Sequence, residues 1–337
     1  MRQMHAWLPL LALTLAACSA DRSPTAPRPA SETPPQGTSR DEIMTIGGAP
    51  VTSVEGHAVN DSGVMVGTVF NASPPLNGPA IWTPPDYTGE LLPTTPGMGF
   101  ADATDIANDG TVLGLECEKS GVGCVPTVWR DGAITHITAL DTATALCPCD
   151  GEVVVGSSIV DGLRHATMMI HGLVLDGGVP DGFTSSIFTA VSHGHFVADA
   201  TRADGSTAAF RWSPSGGWVM LPEGDHASVR DVNSRGDAIG GTPDGNAFWP
   251  GDGSAPVIEP IGTFEAVDDS GLVVGEAPLG IGFPNPEPPD VSGGAFWRSG
   301  SGWESEGLAF SRWVDINSWG MFIELFPASG FIQTALR

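Results

Sequence analysis

The sequence is short of basic residues. Its 337 residues include 14 Lys and Arg against 39 Asp and Glu, which gives a formal net charge of −25 at pH 7. Because so negative a surface repels phosphate groups, the charge argues against nucleic acid or anionic lipid headgroups as partners. It suits a soluble extracytoplasmic body that attracts cations.

Motifs that identify common enzymes are also missing. The chain has no G-x-S-x-G, no H-E-x-x-H and no phosphate-binding loop, and we predict neither a metal nor a cofactor. No helical periodicity is found after residue 42. We therefore expect a protein without catalysis, although an enzyme site assembled from scattered residues stays an alternative.

Only one long apolar run is present, Ala6–Ala17, and it is too short to span a bilayer. It predicts a secretion signal over residues 1–17. The ending "LAAC" resembles the lipobox of bacterial lipoproteins, which implies cleavage before Cys18 and lipid on its thiol. The following Ser19 then implies the outer membrane or cell surface. An ordinary signal peptide in which Cys18 is incidental is the alternative.

Residues 18–41 are rich in Pro, Ser and Thr and have no apolar pattern. Such a composition cannot bury a core, so we expect a disordered tether between the anchor and the folded body. The only contact with the membrane would then be the lipid.

The remaining chain, residues 42–337, is a repeat. A glycine following a short polar turn, as in "NDSG", recurs at intervals of 35 to 49 residues. Each copy continues with a β-branched run such as "VMVG", a second segment such as "NAFW", and a final apolar strand. Four short strands at this period predict the blades of a β-propeller. The anchor glycines are Gly63, Gly110, Gly151, Gly194, Gly236, Gly271 and Gly320.

We predict an all-β fold of seven four-stranded antiparallel blades, with six or eight blades as alternatives. The last unit has three strand candidates before the chain ends. The segment Glu42–Pro50 resembles the outer strand "PVIEPIG" of another unit. We therefore expect the N-terminal strand to complete the last blade and close the ring.

The pattern D-[IV]-N-x-x-G-x-[IV]-V-G followed by A-F-x-W resembles the HAF-type extracellular repeat family of bacteria. The resemblance covers nearly all of residues 42–337 and is clearest in "DVNSRGDAIGG" with "GNAFWP". The third and fourth units, with "ATALCPCDGEVVVG" and "TAVSHGHFVADA", depart from it most. It implies a propeller outside the cytoplasm and no defined chemistry.

The Asn, Asp and Gly of the turn motif are the residues that hairpins favour, so we assign the motif to structure. A ring of calcium sites is the alternative, since hard cations take carboxylate and carbonyl oxygens. The recurring Trp of "AFW" is assigned to packing between blades.

Three aspartates, Asp105, Asp231 and Asp315, occupy equivalent positions on the predicted innermost strand. We expect each to bond a neighbouring blade. The alternatives are a ligand site at the channel mouth, or catalytic carboxylates of a polysaccharide hydrolase or lyase.

Four cysteines follow the tether. Cys117 and Cys124 flank a six-residue loop and predict a disulfide, whereas Cys147 and Cys149 are so close that a redox pair, a metal half-site and free thiols stay open. "HGH" at His193–His195 is interpreted as a variant turn rather than a metal half-site.

Long connections between the second and third strands occur in units six, one and two, which are near one another in a seven-membered ring. Variable loops on one face often mark a binding face. The candidate binding-loop residues are Asn71, Asn77, Glu116, Lys119, Phe283, Asn285 and Asp290.

These features predict a monomeric, lipid-anchored binding or scaffold module of the cell envelope, with a glycan, peptide or envelope protein as ligand. A propeller hydrolase or lyase and a purely structural envelope lipoprotein are the alternatives.

Overall fold

The computed structural model describes residues 45–46, 49–50, 54–70, 78–121, 123–149, 151–278, 292–309, 311–318, 320–326 and 331–336. All regular structure in these ranges is β-strand. No helix that could cross a membrane is found among them. The predicted signal peptide, Cys18 and the predicted tether lie outside the described residues.

The strands form seven sheets that follow one another along the chain. Sheet 1 consists of β1 (Thr45–Ile46), β2 (Ala49–Pro50), β3 (Val54–Val59), β4 (Met65–Val69), β5 (Gly78–Thr83) and β6 (Thr88–Leu91). Sheet 2 consists of β7 (Met98–Ile106), β8 (Val112–Glu118), β9 (Val125–Arg130) and β10 (Ala133–His136). Sheet 3 consists of β11 (Thr142–Leu146), β12 (Val153–Val160), β13 (Leu163–Ile170) and β14 (Leu173–Gly178).

Sheet 4 consists of β15 (Ser185–Ser192), β16 (His195–Thr201), β17 (Thr207–Ser213) and β18 (Gly217–Asp225). Sheet 5 consists of β19 (Ser228–Val232), β20 (Ala238–Thr242), β21 (Gly245–Trp249) and β22 (Val257–Glu259). Sheet 6 consists of β23 (Thr263–Val267), β24 (Val273–Pro278), β25 (Ser292–Arg298) and β26 (Gly302–Ala309). Sheet 7 consists of β27 (Arg312–Ile316), β28 (Met321–Phe326) and β29 (Phe331–Leu336).

The predicted all-β propeller is confirmed. Six sheets contain a four-stranded antiparallel meander. Six is the number of blades that the sequence suggested as an alternative to seven. Sheet 7 has three strands in the described part of the chain. The innermost strand of each sheet, which is β3 in sheet 1 and the first strand in the other sheets, packs against the innermost strand of the next sheet. β27 packs against β3, so the sheets form a ring.

The prediction for the N-terminal strand differs from the structure. β1 pairs in parallel with β6, with Thr45 opposite Thr88, and therefore belongs to sheet 1 instead of completing the last sheet. The sequence similarity identified an outer strand correctly. It could not specify the edge, because β6 and, among the described strands, β29 both lie at a sheet edge to which a further strand can be added.

The repeated turn motif forms the hairpin between the first and second strands of a sheet. In sheet 5, Gly236 N–H donates to the Asn233 carbonyl at 3.0 Å, and Asn233 N–H donates to the Asp237 carbonyl at 2.9 Å. Gly236 has a φ of 79°, which a residue with a side chain rarely adopts. The motif therefore specifies a turn, as predicted from its residue types.

The glycine that ends each "VMVG"-like run is required for a different reason. The innermost strand of every sheet carries a β-bulge, which in sheet 5 lies between Val229 and Asp231. The bulge brings the Ser228 carbonyl oxygen to 2.0 Å from the position that a Cβ on Gly240 would occupy. Only glycine fits there. The same close approach occurs at Gly67, Gly114, Gly156 and Gly275.

The core lies between consecutive sheets. One hydrophobic cluster joins Ile239 and Phe248 of sheet 5 to Phe264, Val273 and Trp297 of sheet 6. Tryptophans at the predicted "AFW"-type position are fully buried in four sheets, and truncating such a side chain to alanine costs roughly 3–5 kcal/mol. These tryptophans are Trp82, Trp129, Trp249 and Trp297, while the equivalent Trp212 is partly exposed.

The indole N–H groups of three of these tryptophans reach the preceding sheet. Trp129 Nε1 donates to the Pro93 carbonyl at 2.7 Å and Trp249 Nε1 to the Pro222 carbonyl at 2.8 Å. Trp297 Nε1 donates to Glu259 Oε2 at 3.1 Å. In each case the acceptor lies in the outer strand of the preceding sheet or in the connection that follows it. The tryptophan therefore fixes one sheet against its neighbour by both packing and a directed bond.

Candidate functional site

The three predicted aspartates occupy one structural position. It is the residue that follows the bulge on the innermost strand, and it is an aspartate in three sheets and an alanine in the other four. Around the ring the residues at this position are Ala58, Asp105, Ala145, Ala190, Asp231, Ala266 and Asp315.

Each aspartate bonds the next sheet. Asp231 Oδ1 accepts the N–H of Val232 at 2.8 Å, and its Oδ2 accepts the N–H of Val267, in sheet 6, at 2.9 Å. The innermost strand is an edge strand and its bulge leaves backbone N–H groups without a ladder partner. The carboxylate supplies that partner, so the position explains the residue type.

The other two aspartates repeat this arrangement. Asp105 Oδ1 accepts the N–H of Ile106, and its Oδ2 accepts the N–H of Leu146 in sheet 3, both at 2.7 Å. Asp315 Oδ2 accepts the N–H of Val59 in sheet 1 at 2.7 Å, which ties the last sheet to the first.

Burial raises the pKa of these carboxyl groups. The pKa rises to about 6 for Asp105 and Asp231, because burial outweighs the backbone N–H donors that favour the carboxylate. For Asp315 it rises to about 8, again mainly by burial, with the carboxylates of Asp231 and Asp105 adding repulsion. All three side chains are partly exposed to the channel, so water reaches them in part.

A further carboxylate that bonds a neighbouring sheet was not anticipated. Asp199 lies on β16, and its Oδ1 accepts the N–H of Val229 in sheet 5 at 2.8 Å. Burial raises its pKa to about 6. Because it comes from the second strand rather than the first, the repeat alignment gave no signal for it.

A second layer of bonds lies at the channel mouth. The turn residue Asn60 donates from Nδ2 to the Ala107 carbonyl at 3.1 Å, Asn233 to the Asp268 carbonyl at 2.8 Å, and Asn317 to the Asn60 carbonyl at 2.8 Å. Each bond runs from one sheet to the next. The turn motif therefore joins sheets as well as shaping its own hairpin.

The channel mouth encloses a cavity of about 140 Å³. Six aspartates line it and neither lysine nor arginine is among its described lining residues. The cavity lies at the end of the ring where the first hairpins of the sheets meet. Its acidic residues are Asp61, Asp105, Asp231, Asp268, Asp269 and Asp315.

This geometry bears on the catalytic alternative. A general acid or base needs a carboxyl oxygen directed at the ligand. In Asp105 and Asp231 both oxygens accept backbone N–H groups instead. We therefore assign these two carboxylates, and by equivalence Asp315, to contacts between sheets.

The predicted binding loops lie elsewhere. Because the strands of a sheet alternate in direction, the connections between second and third strands lie at the end of the ring opposite the cavity. Lys119 is exposed there, in the β8–β9 turn. The remaining predicted loop residues, apart from Glu116, lie outside the described residues: Asn71, Asn77, Phe283, Asn285 and Asp290.

Glu116 is not a loop residue, which corrects the sequence interpretation. It lies within β8 and is fully buried. Its Oε2 contacts His136 Nε2 at 2.7 Å, and its Oε1 accepts the Thr95 N–H at 2.6 Å. Burial opposes ionisation, but these donors outweigh it and lower the pKa of Glu116. Unpaired charge is not tolerated in a strand interior, so this glutamate needed partners that the sequence did not reveal.

The four cysteines after the tether form two disulfides. Cys117 and Cys124 are joined across the β8–β9 turn. Cys147 and Cys149 are also joined, and Cys147 occupies the position that the motif asparagine has in other sheets. Of the three alternatives for Cys147 and Cys149, the structure contains the bonded pair and neither free thiols nor a metal half-site.

His193 lies in a two-residue turn and is exposed at the channel mouth. Its φ is 47° and that of Gly194 is 85°, a pair of values typical of tight hairpins. No cluster of three or more metal-ligating side chains occurs in the described ranges. The "HGH" segment is thus a shorter turn that replaces the four-residue motif.

No family model and no curated protein matches the chain. Solved structures do match. The β-propeller domain of the trilobed protease from Pyrococcus furiosus, reported to have an open velcro topology, is 9% identical with a TM-score of 0.56, over 83% of this chain and 92% of that one. A prolyl endopeptidase is 9% identical with a TM-score of 0.53, over 85% of this chain and 50% of that one.

TolB from Acinetobacter baumannii is 11% identical, over 73% of this chain and 65% of that one. Its TM-score is 0.46. The chain thus spans just under two thirds of TolB and half of the endopeptidase. At such identities the likeness establishes one thing, that this chain has the β-propeller fold.

Proposed function

We propose that the chain is an extracytoplasmic binding or scaffold module, anchored by lipid at Cys18 to the outer membrane and related to the HAF-type repeats. The observation that carries the proposal is the ring itself. Aspartate and asparagine side chains bond backbone groups of the next sheet. The ring that they hold together surrounds a cavity at the channel mouth. A rigid body with a preformed cavity is suited to recognition.

The three-stranded sheet 7 acts in this proposal as a seventh blade. It packs between sheets 6 and 1, and its first strand carries the same bulge and the same inter-sheet aspartate as sheets 2 and 5. Among the described strands it differs from the other sheets in having three strands instead of four.

Binding can be tested with the full chain carrying Cys18→Ser, immobilised and exposed to glycan arrays and to detergent-solubilised envelope fractions. Calcium is added in one arm and chelated in the other. His193→Ala alters the cavity end, and the matched variant Lys119→Ala alters the opposite end. We expect the immobilised protein to retain one class of ligand, and we expect one of the two variants to retain less of it. Retention that neither variant changes, or no retention in either arm, would contradict the proposal.

The anchor is tested separately. Cys18→Ser should move the protein from the membrane fraction to the soluble fraction and abolish incorporation of labelled palmitate. Unchanged membrane association would contradict lipid anchoring while leaving the binding proposal intact.

A further inference from the structure

The outer strand of sheet 3 is apolar and exposed on both of its faces. Leu173, Val174 and Leu175 follow one another on β14, and they are 55%, 48% and 39% exposed. On β10, the outer strand of sheet 2, exposed residues alternate with half-buried ones, as they do when one face is covered. Among the described strands, β14 pairs only with β13. An apolar strand at an open sheet edge is a surface for association.

The outer strand of sheet 4 extends this surface. Val219 and Met220 on β18 are also exposed. The residue before them, Trp218, donates its indole N–H to the carbonyl of Gly177 on β14 at 2.9 Å, so the two outer strands lie side by side on the circumference of the ring. Large apolar side chains that gather in this way mark a contact surface. The outer patch consists of Leu173, Val174, Leu175, Val219 and Met220.

The backbone of β14 restricts what can cover the outer patch. The turn before β14 has two central residues, His171 with a φ of 48° and Gly172 with a φ of 79°. In such a hairpin the flanking pair, here Ile170 and Leu173, is hydrogen-bonded, and bonded pairs alternate along the strands. The N–H and C=O groups of Val174 therefore point away from β13. Hydrocarbon offers these groups no partner, so the patch fits another β-strand and not a lipid surface.

The sequence of β14 complements itself. When a second copy pairs antiparallel about a two-fold axis at Val174, Val174 lies opposite its own equivalent and Leu173 lies opposite Leu175. Asp176 then lies opposite Gly172, so no two charges of like sign meet.

This register is better than its neighbours. An axis at Leu175 would place Asp176 opposite Val174, and an axis at Leu173 would place Leu175 opposite the turn residue His171. With the axis at Val174, apolar side chains oppose apolar side chains on both faces, and the outward-pointing backbone groups of the two Val174 residues bond each other. The strand that fits the outer patch is therefore β14 of another copy.

We propose that β14 is a dimerisation edge, through which two copies of this chain join their third sheets into one continuous sheet. The contact is isologous, so it closes at two copies instead of growing into a filament. The net charge of −25 on each copy opposes association, and salt strengthens the dimer because it screens this repulsion. The dimer replaces the monomer expected from the sequence. The inference depends neither on the lipid anchor nor on a ligand of the cavity.

The first test measures the molar mass of the full chain carrying Cys18→Ser by sedimentation velocity, over about a hundredfold range of concentration. We expect a dimer that dissociates on dilution and becomes more stable as sodium chloride is added. Val174→Lys places two ammonium groups opposite each other at the axis and should give a monomer throughout. A wild-type monomer at every concentration and salt level overturns the proposal.

Ile159→Lys is the matched control for this substitution. Ile159 is 52% exposed on β12 of the same sheet, where it lies opposite Arg164 and away from the outer patch. Both variants change the net charge equally and replace a half-exposed side chain, so both should keep the far-UV circular dichroism of the wild type. Ile159→Lys should leave the dimer unchanged. Equal losses of dimer in the two variants overturn the proposal.

The second test checks the register by cross-linking. With Cys18→Ser, the remaining four cysteines are bonded in pairs, so an added cysteine supplies the free thiol. Opposite residues in a bonded antiparallel pair have Cα atoms about 5.5 Å apart, which a disulfide can span. Val174→Cys should give a disulfide-linked dimer on mild oxidation. Leu173→Cys should link to Leu175→Cys in a mixture of the two, and more slowly to itself. No linked dimer of Val174→Cys, or faster self-linking of Leu173→Cys, overturns the proposal.

Discussion

Asp231 offers a direct test of the inter-sheet carboxylates through its pH dependence. Its pKa of about 6 lies above the value of 3.8 for an unperturbed aspartate. The folded protein therefore binds the proton more tightly than the unfolded chain does. The resulting contribution to stability is complete below about pH 4 and is lost as the pH rises through 6.

The size of the effect follows from the shift. At 1.36 kcal/mol per unit, a change from 3.8 to about 6 corresponds to at most about 3 kcal/mol. Water in the channel screens part of this, because the side chain is partly exposed. We expect the contribution of Asp231 to the free energy of unfolding to be about 1 kcal/mol larger at pH 4.5 than at pH 8.

Asp231→Asn removes the titrating group while keeping one acceptor oxygen. The free energy of unfolding, measured by urea at several pH values, should favour the wild type by about 1 kcal/mol more at pH 4.5 than at pH 8. Asp237→Asn is the matched control. Burial opposes ionisation of Asp237, but Asn233, Gly251 and Arg235 lower its pKa, so its contribution changes only below about pH 4. A flat difference for Asp231→Asn, or one that rises with pH, would refute the reasoning.

Three further changes test the motif and the disulfide, each by urea unfolding. Asn233→Ala should cost about 2–3 kcal/mol, because it removes the acceptor of two turn N–H groups and the bond to the next sheet; a loss below 0.5 kcal/mol would contradict this role. Gly240→Ala should lower the free energy of unfolding by more than about 3 kcal/mol, because its Cβ would meet the bulged strand. The Cβ of Gly241→Ala would meet nothing closer than 3.8 Å, so this variant should change the free energy of unfolding by no more than about 0.5 kcal/mol. Similar losses in the two variants would argue against the role of the bulge. Replacing Cys117 and Cys124 by serine should cost about 2 kcal/mol, since the bridge spans seven residues; no change would show that the β8–β9 turn is held by its strands alone.

Much of the fold was predictable because the repeat states the same local rule several times. The turn Asn and Gly, the bulge-facing Gly and the inter-sheet Trp each satisfy a steric or hydrogen-bonding requirement that recurs in most sheets. One copy would have been ambiguous, and alignment of the copies made each requirement visible. The predicted role of Asp105, Asp231 and Asp315 came from the same alignment.

Features that occur once were not predictable in this way. Glu116 depends on partners from two other segments, Thr95 and His136, which no sequence spacing announces. Asp199 reaches the next sheet from a different strand. β1 has two similar sheet edges available to it, those of β6 and β29. In the structure it pairs with β6 through only two residue pairs, and no sequence pattern specifies so small a difference.

The bonds at the channel mouth have an evolutionary consequence. The asparagine of one sheet donates to a main-chain carbonyl of the next, and the residues that carry this carbonyl are as different as Ala107, Asp268 and Asn60. The contact requires the backbone of its neighbour and makes no demand on the neighbour's side chain. A gene segment encoding one unit could therefore be copied, lost or diverge without a matching change in the adjacent unit.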